Sequence, residues 1–173
     1  HPRKNLSRLI PAFEQFKKQH PEDKHQLLIV GEALFSNSFG EIIISDELKQ
    51  YIHFTGHLSL EELALVMASA SVFTFVPYFE GFGIPIIEAL YSKTPVITSK
   101  GGCFSEAGGE NTVYIDPLNT EEIKGELEEI LANSEKRELM KQKGFEFVQK
   151  FNDENIASNW IDTYNKILKI QLP

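Results

Sequence analysis

Basic residues and cysteine are both scarce in this chain. Lys and Arg number 17 against 25 Asp and Glu, and the net charge of −8 argues against general nucleic-acid binding, which needs a basic surface. The one cysteine, Cys103, excludes an intrachain disulfide and is compatible with a reducing compartment. No apolar run approaches the roughly 20 residues that span a bilayer. What is present, 173 residues of which 42% are hydrophobic, suffices for one domain with a substantial core.

Short apolar segments alternate with helical ones along the first two thirds of the chain. Asn5 can cap a first helix that runs to about residue 19, and Ser59 with Glu62 forms a capping box for another helix. Residues 38–49 are ambiguous and weakly favour a helix. This alternation predicts βαβ units and a parallel sheet with right-handed crossovers. The predicted strands are 26–31, 51–56, 72–76, 95–98 and 112–115, and Gly101-Gly102 opens a predicted loop that runs to Gly108-Gly109.

The chain after Pro117 is predicted to be entirely helical. One helix is capped by Asn119, a second covers about 135–150, and a third carries an apolar stripe from Ile156 to Leu168. The aromatic part of that stripe, Trp160 and Tyr164, is interpreted as core packing.

Two carboxylates, Glu80 and Glu88, flank a glycine-rich turn. Gly81 and Gly83 lack Cβ atoms, so the backbone can bend sharply and a ligand can approach it closely. Pro85 suits the first turn of a helix, where its missing N–H would have no partner. We therefore expect a turn that opens a helix running to about residue 91.

The chemistry of this turn predicts a site for a phosphate that carries sugars. The amides of Phe82, Gly83 and Ile84 would lie at the positive end of the helix, which binds phosphate without a basic side chain. A carboxylate beside a phosphate is repulsive unless it binds something else, and it can accept hydrogen bonds from two neighbouring hydroxyls. Glu80 and Glu88 therefore indicate sugar hydroxyls.

The predicted topology agrees with this local chemistry. Ligands of open parallel sheets bind beyond the carboxyl ends of the strands. That edge would hold the Glu80 turn together with residues 31–32, 56–57, 99–102 and Asp116.

Several motifs occur in an order that resembles the nucleotide-binding half of the family-4 (group 1) retaining glycosyltransferases of the GT-B fold. The most specific is a pair of glutamates with seven residues between them, Glu80 and Glu88. The others are Arg3-Lys4-Asn5-Leu6, Phe75-Val76-Pro77, Glu88-Ala89-Leu90, Thr94-Pro95-Val96-Ile97, Gly101-Gly102 and the closing segment from Phe151-Asn152 to Tyr164. The resemblance implies a Rossmann-like parallel sheet with helices on both faces and a helical C-terminal tail.

The resemblance also implies a role for each matching position. Glu80 and Lys4 would be catalytic, with Glu80 on the transferred sugar and Lys4 neutralising the diphosphate. Glu88 would bind the ribose hydroxyls. The remaining donor-binding positions would be Gly81, Phe82, Gly83, Ile84, Arg3, Gly101 and Gly102. His57, at the predicted end of a strand, would lie near the base pocket, although a lone loop histidine is more often a surface residue.

Some family features are missing or altered here. The chain begins at His1 without an initiator Met, so we expect it to be a piece of a longer protein. The resemblance implies a preceding strand that carries an arginine, and an N-terminal acceptor-binding domain, neither of which is present.

Residues 1–173 would then be a single donor-nucleotide-binding domain. Its sheet would be completed from outside the chain or by another chain, or would be split between residues 26–31 and 72–76. Cys103 to Glu106 replaces a proline before a glutamate, and Tyr78 and Phe79 replace small polar residues.

The resemblance implies retaining transfer of a hexosyl group from a UDP- or GDP-sugar to a glycan or lipid-linked acceptor, with no cofactor and no metal. It places the protein in the cytoplasm, and peripheral attachment to the inner face of the plasma membrane stays open. Two other functions also stay open: a sugar-nucleotide epimerase of the same architecture, and a binding-only domain that is inactive without its partner.

Overall fold

Five parallel strands alternate with helices in the computed structural model, which describes residues 2–31 and 44–168. The strands are β1 (Leu27–Ile29), β2 (Ile52–Phe54), β3 (Phe73–Phe75), β4 (Val96–Ser99) and β5 (Val113–Ile115). The helices are α1 (Leu6–Gln19), α2 (Asp46–Lys49), α3 (Leu60–Ser69), α4 (Ile84–Tyr91), α5 (Phe104–Gly108), α6 (Thr120–Ala132), α7 (Ser134–Val148) and α8 (Asp153–Leu168). Two short 3-10 helices, Pro2–Lys4 and Gln149–Phe151, precede α1 and α8.

The strands form two parallel sheets rather than one. β1 pairs with β2, and β3, β4 and β5 pair in that order, with Ile97 of β4 opposite Val113 of β5. In the part of the chain that the structure describes, β1 and β3 are not hydrogen-bonded to each other. The sequence left three ways to complete the sheet, and this chain shows the split between residues 26–31 and 72–76.

Helices cover both faces of the larger sheet because its central strand is buried on both sides. Successive side chains of a strand point to opposite faces, and every residue of β4 is buried. Ile97 packs in the cluster that holds α1 and α6, while Val96 packs in the cluster that holds α4 and α5. The predicted α/β class with a Rossmann-like parallel sheet is therefore confirmed.

Local sequence rules placed several helix ends correctly. Ser59 and Glu62 form the predicted capping box at α3, and the side chain of Asn119 accepts a hydrogen bond from the amide of Glu122 at α6. Pro85 lies in the first turn of α4, as expected. The ambiguous segment 38–49 falls partly outside the described residues, and its described end contains the short helix α2.

Two sequence-based expectations about the later helices were wrong. Residues between Gly101 and Gly109 were expected to be a loop, but Phe104 and Ala107 are buried in the core and anchor the short helix α5. Trp160 and Tyr164 were interpreted as core residues, yet they are 57% and 50% exposed, and no described residue of α8 is buried. Helical periodicity identifies an apolar face but does not say what covers it.

No helix among the described residues is long and apolar enough to cross a membrane.

Asn5 joins the start of the chain to two distant segments. It was expected to cap α1, and it does occupy the N-cap position, but its side chain makes no capping hydrogen bond. Its Nδ2 instead donates to the carbonyl oxygens of Val76, at 2.9 Å, and Pro117, at 2.7 Å. The residue is fully buried and has a left-handed backbone with φ of 63°. Its side chain therefore holds the 3-10 helix Pro2–Lys4 against the ends of β3 and β5.

Replacing Asn5 by alanine is expected to lower the free energy of unfolding by about 2–4 kcal/mol. The substitution removes two buried hydrogen bonds and places a Cβ-bearing residue without a polar side chain in a left-handed conformation. Urea unfolding followed by circular dichroism measures the change.

Asn5→Gly is the informative comparison, because it relieves the backbone but still lacks the amide. It should recover only part of the loss. Asn119→Ala, which removes an exposed helix cap, is a matched control with an expected loss of about 1 kcal/mol. An Asn5→Gly variant as stable as the parent would contradict a role for the two side-chain hydrogen bonds.

Candidate functional site

Two cations and one carboxylate meet where the 3-10 helix Pro2–Lys4 passes the end of β3. The Nζ of Lys4 lies 2.7 Å from Oε1 of Glu80, and the guanidinium of Arg3 contacts the same oxygen. The backbone is joined here as well, because the amide of Tyr78 donates to the carbonyl of Arg3 at 2.9 Å. The structure thus brings Arg3 and Lys4 to Glu80, which lies 76 positions after Lys4 in the sequence.

The Glu80 carboxylate is held in its charged form. Its side chain is 13% exposed, and this burial by itself raises the pKa of the carboxyl group. The hydrogen bonds and charges of Arg3 and Lys4 outweigh burial, so the pKa of Glu80 lies below its ordinary value. At neutral pH the cluster of these three side chains therefore carries one net positive charge.

An aromatic ring supports Lys4 on a second side. Its Nζ lies 4.5 Å from the centroid of the Phe75 ring, within cation–π distance. Sequence reasoning missed this contact, because Phe75 is an apolar residue of a predicted strand and nothing in the local pattern marks it as a neighbour of Lys4.

The glycine-rich turn ends on the first turn of α4, as the sequence predicted. Gly83 is the N-cap, with φ of 99°, and a Cβ atom there would lie 3.1 Å from Cδ1 of Ile86. A side chain at position 83 would therefore be strained both in the backbone and against α4. None of the backbone hydrogen bonds found among the described residues uses the amides of residues 82, 83 and 84. These amides can serve as donors to an anion at the positive end of the helix.

Glu88 lies one turn further along α4 and is half-buried. Its carbonyl accepts hydrogen bonds from Ser92, but within residues 2–31 and 44–168 no hydrogen bond or ion pair of its carboxylate is found. The carboxylate is thus available to accept hydrogen bonds from a ligand, and its role toward ribose hydroxyls stays a prediction.

The Gly101-Gly102 segment lies beside the same turn. Both glycines have positive φ values, 88° and 55°, and the thiol of Cys103 contacts the carbonyl oxygen of Glu80 at 3.5 Å. At the same edge, Lys100 pairs with Asp116 at 3.6 Å. These contacts place the loop after β4 next to the Glu80 turn.

The structure does not bring His57 into this cluster. It is exposed and follows β2, in the smaller sheet. Its predicted place near a base pocket remains a prediction. No group of three or more metal-ligating side chains is positioned to hold a metal ion in the described part of the chain.

The fold and this edge define a class of protein: one Rossmann-like half of a GT-B glycosyltransferase. The family model for glycosyl transferases group 1 matches residues 1–147, and the chain belongs to that family. The match includes the Arg3-Lys4 turn, the Glu80 to Glu88 motif and the two glycines after β4.

Individual relatives agree with this assignment. The chain is 25% identical over 164 residues to the O-antigen chain mannosyltransferase B of Escherichia coli, covering 94% of this chain and 43% of the relative. It superposes on sucrose-phosphate synthase from Thermosynechococcus elongatus with a TM-score of 0.78 and 27% identity, covering 98% of this chain and 43% of that protein. A structure of Anabaena HepE in complex with UDP matches with a TM-score of 0.78 and 22% identity, covering 96% and 46%. The chain therefore spans less than half the length of these relatives.

Glu80→Gln is expected to destabilise the fold in a pH-dependent manner. A carboxyl group whose pKa is lower in the folded chain stabilises it above the unfolded glutamate pKa, about 4.3. That contribution is lost as the pH falls through the folded pKa. The variant should lose roughly 1 kcal/mol at pH 7, a modest amount because both cations are partly solvated. Urea unfolding between pH 7 and pH 3.5 measures the difference, which should shrink below about pH 4.

Glu138→Gln is the matched control, since Glu138 forms an exposed ion pair with Lys141 on α7. Its stability should differ from that of the parent by only a few tenths of a kcal/mol, roughly, at every pH. Equal stability of Glu80→Gln and the parent at pH 7 would contradict a stabilising role for the ion pairs of Glu80 with Arg3 and Lys4.

Proposed function

We propose that this chain is the donor-nucleotide-binding domain of a retaining hexosyltransferase that uses a UDP- or GDP-sugar. The observation that carries the proposal is the convergence of Lys4, Arg3 and the first turn of α4 around Glu80. A site that combines cationic side chains, unused amides and carboxylates suits a ligand that is part diphosphate and part sugar.

The cations have a direct chemical use in such a reaction. When the glycosidic bond of the donor breaks, negative charge accumulates on the departing nucleoside diphosphate. Lys4 and the amides of residues 82–84 would stabilise this charge, because they are held in place before the reaction begins. Asn5 supports this arrangement by holding the turn that carries Lys4.

Glu80 has two tasks in this proposal. Without donor, it neutralises the cations that would otherwise repel each other at the sheet edge. With donor, the diphosphate takes over the cations, and the Glu80 carboxylate becomes available for hydroxyls of the transferred sugar. Glu88 would accept from the ribose hydroxyls with its unpartnered carboxylate.

The relatives' names support the substrate class. One relative is a mannosyltransferase of O-antigen chains, and one structure of the same fold contains UDP. We extend this to a glycan or lipid-linked acceptor, which an N-terminal domain beyond this chain would bind. The cytoplasmic location, with or without contact at the inner face of the plasma membrane, stays a prediction.

Isothermal titration calorimetry of the chain with UDP and GDP tests the proposal, and at least one should bind at micromolar to millimolar concentration. Lys4→Met should weaken binding of the nucleoside diphosphate roughly tenfold, because a hydrogen bond to a charged group contributes about 1.5 kcal/mol. The corresponding monophosphate should lose less.

Lys18→Met is the matched control. Lys18 lies near the other end of α1 and is 65% exposed in an ion pair with Glu14. It should bind nucleotides as the parent does. Failure of UDP, GDP and their sugars to bind a folded parent chain at millimolar concentration would refute the proposal.

Glu88→Gln is expected to reduce discrimination between ribose and deoxyribose, because it removes the charge and one of the two acceptor oxygens. In the parent, the ribonucleotide should bind about fivefold to tenfold more tightly than its 2′-deoxy analogue, because a hydrogen bond to a carboxylate contributes about 1–1.5 kcal/mol. In the variant the two dissociation constants should converge. An unchanged ratio would remove Glu88 from the ribose site, while Glu138→Gln serves again as the unaffected control.

The share of the relatives that this chain spans favours a second description, a domain that binds donor but does not catalyse transfer alone. Incubating a bound nucleotide sugar with an acceptor discriminates the two, using this chain in one reaction and the full-length protein in another. Conversion of the donor without any acceptor would indicate an epimerase instead.

A further inference from the structure

The side chain between the two glycines of the turn has a partner far along the chain. The Phe82 ring packs edge-to-face on Phe151, with centroids 5.8 Å apart and an interplanar angle of 89°. We propose that Phe151 is a positioning residue: through Phe82 it holds the amides of residues 82–84 in the orientation that binds the distal phosphate. This inference rests on the proposed function of those amides.

The turn needs such an anchor because its backbone is intrinsically free. Gly81 is exposed, and a Cβ atom there would meet nothing within 4 Å. Gly83 has a positive φ that few other residues adopt. Glycine on both sides leaves many conformations open to residue 82, so its amide points in a defined direction only if the Phe82 side chain is held.

Phe151 is itself held by three parts of the fold. It ends the 3-10 helix between α7 and α8, and the ring of Phe147 packs on it edge-to-face at 6.2 Å. Lys150 lies over both rings, with Nζ 3.9 Å from the Phe147 centroid and 4.7 Å from the Phe151 centroid. The same Nζ donates to the carbonyl of Glu106 in α5 at 3.2 Å.

The contact therefore joins the glycine-flanked turn to a segment that is packed against the core. Edge-to-face aromatic pairs are directional, so the ring of Phe151 restricts the ring of Phe82 more than an aliphatic side chain of similar size would. If the ring is lost, the amides of residues 82–84 sample more directions, and the distal phosphate loses preorganised donors. The nucleoside, held by Glu88 in the proposed function, and the proximal phosphate should be little affected.

The experiment compares nucleoside diphosphate with nucleoside monophosphate binding by calorimetry, using whichever base the parent chain binds. The quantity measured is the ratio of the two dissociation constants. Phe151→Ala and Phe151→Leu should reduce the preference for the diphosphate by about twofold to tenfold, the range expected for an aromatic pair. Phe151→Tyr keeps the ring and should retain the parent's preference.

Phe145→Ala is the matched control. Phe145 of α7 forms a comparable edge-to-face pair with Tyr91, with ring centroids 6.4 Å apart, at the opposite end of α4 from the turn. It should lose stability without changing the ratio. Thermal unfolding of every variant shows whether it is folded, and Phe151→Leu keeps enough apolar volume to serve if Phe151→Ala is unfolded.

The outcomes separate this inference from the function on which it rests. A parent that binds neither nucleotide overturns both. A parent that prefers the diphosphate, together with a folded Phe151→Leu variant of unchanged preference, overturns the positioning role alone.

A double-mutant cycle with Phe82→Leu adds a second check. The effects of Phe151→Leu and Phe82→Leu on diphosphate binding should be non-additive, and additivity would show that the ring pair is not the connection.

Discussion

The buried amide of Asn5 is the contact on which the geometry of the site depends. It donates to the carbonyl oxygens of Val76, directly after β3, and Pro117, after β5. These residues are 71 and 112 positions away from Asn5 in the chain. A buried amide donor that loses its acceptors is destabilising, so these hydrogen bonds fix the path of the chain into α1. Arg3 and Lys4 immediately precede Asn5 and are carried to Glu80 by that path.

Charge at this edge is only partly balanced within the protein. Two cations share one glutamate oxygen, and the first turn of α4 adds the partial positive charge of a helix end. Such an arrangement is stable without ligand and still favours an anion, since one positive charge remains. A polyanionic ligand would displace a carboxylate rather than bulk water, which ties donor binding to the release of Glu80 for other contacts.

Where sequence reasoning succeeded, the information was local. The capping box at Ser59, the cap at Asn119 and the proline in the first turn of α4 are confirmed because each depends on residues within one helical turn. The parallel pairing of the strands also followed from their alternation with helices, whereas the split into two sheets was one of three alternatives that the sequence left open. Where it failed, the deciding contact was distant. Asn5 has the composition of a helix cap but bonds across the fold, and Phe104 turns a glycine-flanked segment into a helix by entering the core. Trp160 and Tyr164 have the spacing of core residues, yet no described element covers them.

The sequence by itself determined the alternation of strands and helices, the glycine-rich turn that begins α4, and the types of residue that suit a phosphate-linked sugar. These follow from backbone freedom, helix-end electrostatics and side-chain periodicity, which act over a few residues. Only the tertiary structure decided which groups meet: that Arg3 and Lys4 share Glu80, that Lys4 lies over Phe75, and that Phe82 is held by Phe151. The reason is physical, because a side chain's partner depends on how sheets and helices pack, and packing joins segments whose separation along the chain carries no information about their distance in space.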